Sequence, residues 1–148
     1  MKLDNPSSLE DELHKEMVKT VLDELKKRGF SNLRANFEDM TPPERILEFV
    51  PDCTFEKSDP EGKFVVFEVE TCSSMISEDS ARKWKVFFER ARAVGGEFHL
   101  AVPKMCNGNS GRALVDQQLG KLQIKADVVW AVNGSLQHRI PKPQGQRR

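Results

Sequence analysis

The chain has 148 residues, 38% hydrophobic and 31% charged, with nine Phe, two Trp and no Tyr, a balance that fits one soluble globular domain and excludes a disordered chain. No apolar run approaches the roughly 18 residues of a membrane helix, and the opening MKLDNPSSLEDE is unlike a signal peptide, so no membrane segment is expected. The formal net charge is zero, yet residues 1–77 carry 10 basic and 17 acidic groups and residues 78–148 carry 13 and 6; such a chain does not coat nucleic acid indiscriminately, and its basic half either holds a phosphate backbone or simply complements the acidic half within the fold.

The first element reads as a helix over 9–28. Ser7 or Ser8 is placed to cap it, Leu9, Leu13, Met17, Val18, Val21, Leu22 and Leu25 recur at helical spacing, and Lys26-Lys27-Arg28 followed by Gly29 closes it. Leu33, Ala35 and Phe37 alternate with polar residues, predicting a strand over 31–37. Thr41-Pro42-Pro43-Glu44 has the form of a capping box with proline at the helix start, which predicts a short helix over 42–48. Two strands follow, 50–57 and 63–71, joined through the turn residues Ser58-Asp59-Pro60-Glu61-Gly62 as a hairpin.

Ser77 caps a second helix over 78–93, with Ala81, Trp84, Phe88 and Ala91 on one face and Gly95-Gly96 as its stop. A strand over 97–102 ends at Pro103, Asn107-Gly108-Asn109-Ser110-Gly111 forms a loop into a helix over 111–121, and Val128 to Val132 is a last strand. Residues 1–140 therefore form a single domain, and 141–148 (PKPQGQRR) a loose basic tail. The order of elements predicts a mixed α/β fold, a central sheet with helices on both faces. Cys53, Cys72 and Cys106 are odd in number, widely spaced and without a CxxC pair, so neither a zinc site nor a disulfide framework is expected, and a reduced, cytoplasmic setting follows.

The candidate chemistry lies in the hairpin. The run Lys63 to Thr71 is strongly strand-forming yet carries Glu68 and Glu70 at i and i+2, on one face. A symmetric turn centred on Pro60 pairs Phe55 with Val65, Cys53 with Phe67 and Asp52 with Glu68, which puts the apolar residues on one face and Asp52, Glu68 and Glu70 on the other. Opposed carboxylates repel, so a positive group belongs between them, and a divalent metal held by oxygen ligands fits that need. The acid pairs Glu10/Glu12 and Asp59/Glu61 have the same spacing but read as a solvated helix start and an exposed turn.

Pro51-Asp52, a hairpin turn and then Glu68-Val69-Glu70 resembles the PD-(D/E)XK nuclease superfamily, the restriction-endonuclease-like fold, whose core also runs α-β-β-β-α-β; the likeness covers most of the chain. The resemblance implies that Asp52 and Glu68 bind magnesium (or manganese) with the backbone carbonyl of Val69, and that the metal polarises a DNA phosphate and activates a water. Glu70 stands where the family usually has lysine. Three accounts follow: Glu70 acts as general base or second metal ligand, Lys83 or Lys85 from the next helix supplies the missing cation, or the fold survives for binding alone. The resemblance thus implies a DNA-hydrolysing nuclease with Asp52, Glu68, Glu70 and Lys83 or Lys85 as its catalytic groups, acting as a homodimer or within a larger nucleic-acid complex. The alternative is an inactive nuclease-fold domain that binds or scaffolds nucleic acid.

Lesser candidates surround this group. Glu16 of the first helix either approaches the metal or makes ordinary surface pairs with Lys15 and Lys19. His99 reads as a satisfied sheet histidine, Lys104 and Arg112 are available to a DNA backbone, and His14 and His138 have no partner in view. The 107–111 loop lacks the spacing of a phosphate-binding loop and reads as an ordinary connection.

Overall fold

Helical spacing of apolar residues gives α1 (Pro6–Arg28), and the alternating segments give β1 (Ser31–Ala35), β2 (Cys53–Ser58) and β3 (Glu61–Val69) in this computed structural model, which describes residues 6–58 and 61–133. A single 3-10 turn (Ser74–Ile76) leads into α2 (Glu78–Ala93) and β4 (Glu97–Pro103). The short pair β5 (Met105–Cys106) and β6 (Asn109–Ser110) precedes α3 (Gly111–Leu122) and β7 (Val128–Val132). The result is the expected mixed α/β architecture: a five-stranded sheet in the order β1-β2-β3-β4-β7, with helices on both faces. β1 with β2 and β2 with β3 pair antiparallel, while β3 with β4 and β4 with β7 pair parallel.

Strand alternation divides the core into two layers. Met17, Val21, Leu22 and Leu25 of α1 pack on Phe55, Val65, Phe67 and Val69 on one face. Trp84, Phe87 and Ala91 of α2, with Val115 and Leu119 of α3, pack on Val66, Phe98, Leu100 and Val102 on the other. The hairpin register is the one the turn predicts, with Cys53 opposite Phe67 and Phe55 opposite Val65. It slips by one residue at the tip, where Ser58 pairs with Glu61 and Gly62 is the extra residue. Gly62 has φ +80°, the left-handed conformation such a bulge asks of glycine. Asp59 and Pro60 lie outside the described residues, as do His138 and the 141–148 tail.

Four local expectations are corrected. Ser7 and Ser8 fall inside α1 rather than capping it, because the helix already begins at Pro6, whose missing N–H costs nothing in a first turn. The expected helix over 42–48 is absent; Ile46 and Phe49 form an isolated bridge, and Leu47 takes φ +56°. Consecutive prolines explain this, since Pro43 steers Pro42, and Pro42 steers Thr41, away from the α region. The buried stripe of α2 is Ser80, Trp84, Phe87 and Ala91, one step round from the expected face, which leaves Ala81 and Phe88 half-buried. The expected 107–111 loop is a tight hairpin, with Asn107 and Gly108 both at positive φ, as a two-residue primed turn requires.

The cysteines depart furthest from expectation. Cys72 and Cys106 are joined by a disulfide, their Cα atoms 5.7 Å apart, and only Cys53 is free and buried. The two lie 34 positions apart in sequence, so their meeting is a consequence of β3 and β4 ending side by side. No helix among the described residues is long and apolar enough to cross a membrane.

Candidate functional site

Three acids meet where β2 begins and β3 ends. Asp52, Glu68 and Glu70 are 9%, 4% and 3% exposed, a degree of burial that carboxylates tolerate only with partners. Asp52 and Glu68 clasp each other's strands: the Val69 N–H donates to Asp52 Oδ2 at 2.7 Å, and the Asp52 N–H donates to Glu68 Oε1 at 3.1 Å. The Asn36 N–H donates to the Asp52 carbonyl, and the hairpin register continued two residues beyond Cys53–Phe67 sets Pro51 opposite Val69.

Burial, with the charges of Asp52 and Glu70, pushes the Glu68 carboxyl well above its ordinary value, against the pull of the Asp52 N–H and the Lys83 charge. Burial also raises Glu70, although three donors oppose the shift. Ser74 Oγ and Ser80 Oγ donate to Glu70 Oε1 at 2.5 and 2.9 Å, and the Trp84 indole N–H donates to Oε2 at 2.7 Å. The Glu70 N–H is fixed on the Ala101 carbonyl at 2.9 Å. Glu70 is therefore the point where β3, the 3-10 turn and α2 are joined.

Sequence reasoning looked to Glu16 of α1 and missed His14 and Glu10. His14 Nε2 lies 3.1 Å from Asp52 Oδ1. Burial alone would lower its pKa, but the bond to Asp52 and the nearby carboxylates leave it raised. One turn earlier, Glu10 accepts bonds from Thr71 Oγ1 and, at 2.9 Å, from Ser73 Oγ. The available signal was the i, i+4 spacing of Glu10 and His14 on a helix whose buried face runs through Leu13 and Met17. Glu16, half-buried two residues beyond His14, accepts a bond from Thr20 Oγ1 on its main-chain carbonyl.

Of the two candidate lysines, the structure brings one to the site. Lys83 is 32% exposed, lies 3.7 Å from Asp79 and is close enough for its charge to act on Glu68 and His14. Lys85, on the far side of Trp84, is exposed. Lys104 is exposed just past the end of β4, the same sheet edge as the acids, with its N–H on the Val132 carbonyl. Arg112 is exposed at the start of α3 and donates to the Val129 carbonyl at 3.2 Å. His99 lies on the opposite face, against the rings of Phe55 and Phe67, bonded to Glu97 at 2.8 Å. Its Nδ1 has no partner among the described residues, and burial lowers its pKa.

Among the described residues, no three His, Cys, Asp or Glu side chains are arranged to hold a metal ion. The smaller set of Asp52, Glu68 and the Val69 carbonyl consists of hard oxygen donors only, the chemistry that magnesium and manganese take. By type these donors fit such a cation, with Asp52 already bonded to the Val69 N–H and His14, and Glu68 to the Asp52 N–H. Compared with family models, curated proteins and solved structures, the chain matches none. The class that fold and site define is therefore a mixed α/β domain with a buried carboxylate cluster at the open end of its central hairpin.

Proposed function

We propose that the protein is a metal-dependent nuclease that hydrolyses phosphodiester bonds in DNA, as its resemblance to the PD-(D/E)XK superfamily implies. The observation that supports this best is the reciprocal clasp of Asp52 and Glu68, which holds two buried carboxylates together at the end of β3, next to Val69. These residues would hold magnesium or manganese, which when bound supplies Lewis-acid polarisation of a phosphate and a water of lowered pKa. The Val69 N–H fixes one oxygen of Asp52 and His14 the other, so the carboxylate plane is set before any ligand arrives. Lys83 offers its charge to the negative charge that develops on the phosphate. Glu70, with three bonds already on its oxygens, anchors α2 and Lys83 against the end of β3, a positioning part in place of the general-base or metal-ligand part expected. A second copy of the chain, or a larger nucleic-acid complex, would add the surface a duplex needs, with Lys104 on the phosphate backbone. Arg112, already on the Val129 carbonyl, and Lys85 contribute less. A DNA substrate goes with a cytoplasmic setting; the Cys72–Cys106 bond is the observation that pulls the other way.

The second reading, an inactive nucleic-acid-binding module, draws on His14, which already bonds to Asp52 from within the protein. Thermal unfolding in magnesium, manganese or chelator, on wild type and Asp52→Asn, separates the two. The nuclease reading expects the metal to raise the wild-type Tm, by about 3 kcal/mol of stabilisation at a hundredfold excess over Kd, and to leave Asp52→Asn unmoved. It also expects DNA cleavage that Asp52→Asn and Glu68→Gln abolish. A wild type that neither metal shifts, and that cuts no DNA, hands the fold to the binding reading.

A further inference from the structure

A cleft of about 280 Å³ opens on the same sheet face as Glu68, farther along the hairpin. Arg34 pairs with Thr54, and Glu56 with Phe64, so these four share the face that carries Asp52 and Glu68. At about 3.3 Å per residue, the Arg34–Thr54 row lies about 7 Å from the Asp52–Glu68 row, and the Glu56–Phe64 row about 13 Å. α2 runs back along the hairpin from Trp84, at Glu70, and brings Arg90 of its last turn to the cleft. Glu44 completes the lining.

Arg34, Arg90, Glu44 and Glu56 make no ion pair or side-chain hydrogen bond among the described residues, although all four line one cleft. Some surface charges elsewhere do pair, Arg28 with Glu24 and Arg82 with Asp79. Two unpaired, planar guanidiniums suit an anion that accepts bidentate hydrogen bonds, and phosphate is the common one. Phe64, half-buried and packed against the α2 layer, is the aromatic ring in the cleft lining available to stack with a base. The carboxylates of Glu44 and Glu56 accept hydrogen bonds from exocyclic amino groups, as acids do in base readout. The volume lies just below the roughly 300–1,000 Å³ of small-molecule sites, room for one nucleotide unit and far too little for a duplex.

We infer that this cleft binds one nucleotide of a single-stranded segment, with Arg34 and Arg90 on its phosphate and Phe64 under its base, one or two units from the bond to be cut. The inference rests on the nuclease reading for the last clause and names its substrate class: strands that are single or frayed next to the cut.

The test is fluorescence anisotropy in chelator, with a labelled single strand of about 12 nucleotides, its duplex, and an abasic strand of equal length as probes. Wild type is expected to bind the single strand more tightly than the duplex. Arg34→Gln/Arg90→Gln, both at exposed positions, is expected to weaken binding at least about tenfold and to reduce the slope of log K against log salt by about 0.7 per lost contact. Phe64→Leu is expected to weaken the base-bearing strand about fivefold or more and leave the abasic strand unchanged. A double arginine variant that binds like wild type overturns the inference, as does a wild type that binds no single strand. Cleavage assayed in magnesium with the same proteins reads the nuclease reading separately. Cleavage with unchanged binding in the variants removes the cleft alone, and weakened binding without wild-type cleavage removes the nuclease alone.

Discussion

Glu68 illustrates what a single buried residue reveals. Its carboxyl accepts the Asp52 N–H, yet burial and the two neighbouring acids push its pKa well above the ordinary 4.5. Below that value both the folded and the unfolded chain hold the proton, so no cost arises. As pH rises past it, the unfolded chain ionises first and stability is lost, until the folded carboxyl ionises in turn. Glu68→Gln, which keeps the accepting oxygen, is therefore expected to be more stable than wild type at neutral pH by about 1–3 kcal/mol and equal to it near pH 4, read from urea unfolding across that range. His14 adds a trend of the same direction from the opposite charge. Its pKa is raised, so its contribution is full below 6.5 and fades as pH rises through its folded value. The placing of Asp52 and Glu68 was legible in the residues, because a hairpin turn and strand alternation fix cross-strand partners locally. His14 was not, because nothing near it in the chain marks the carboxylate it meets.

At the scale of elements, the bond from Trp84 to Glu70 ties α2 to the end of β3. Trp84→Phe keeps most of the packing and removes the only donor to Glu70 Oε2 among the described residues, so a loss of about 1.5–3 kcal/mol is expected in denaturant unfolding. Ser77 was readable as the cap of α2, and its side chain does accept the Ser80 N–H at 3.1 Å. Trp84 was readable only as a core residue, since helical periodicity reports burial and is silent about what an indole N–H will find. The segment after Thr41 misled for a related reason. Its capping pattern is a local signal for a helix, and the double proline and the burial of Ile46 in the α2 layer override it. Gly96 shows the converse: a glycine read as a helix stop also lies where a Cβ would come 2.2 Å from the Phe64 carbonyl, a close approach between elements that no helix signal encodes.

Across the whole molecule, the Cys72–Cys106 disulfide joins the connection after β3 to the one after β4. It closes a loop of 34 positions, which in the chain-entropy account is worth about 3–4 kcal/mol. Cys106→Ser is expected to lose that much and to unfold identically with and without reductant, whereas wild type falls to the variant's stability when reduced. The cysteine count pointed the other way because spacing along a chain says nothing about which strand ends lie side by side.

The sequence by itself determined the order of the three helices and the five strands of the central sheet, the hairpin register and the acidic face at its end. Each of these follows from periodicity and turn chemistry within a short stretch. The tertiary structure alone decided which side chains serve those acids. Glu10 and Thr71 are 61 residues apart, and His14, Trp84 and Lys83 reach the site from two helices that cover opposite faces of the sheet. The parallel pairing of β3 with β4 likewise brought Cys72 to Cys106. Such meetings depend on how layers stack and where strands end, quantities set by burying the whole core at once and written in no local pattern of residues.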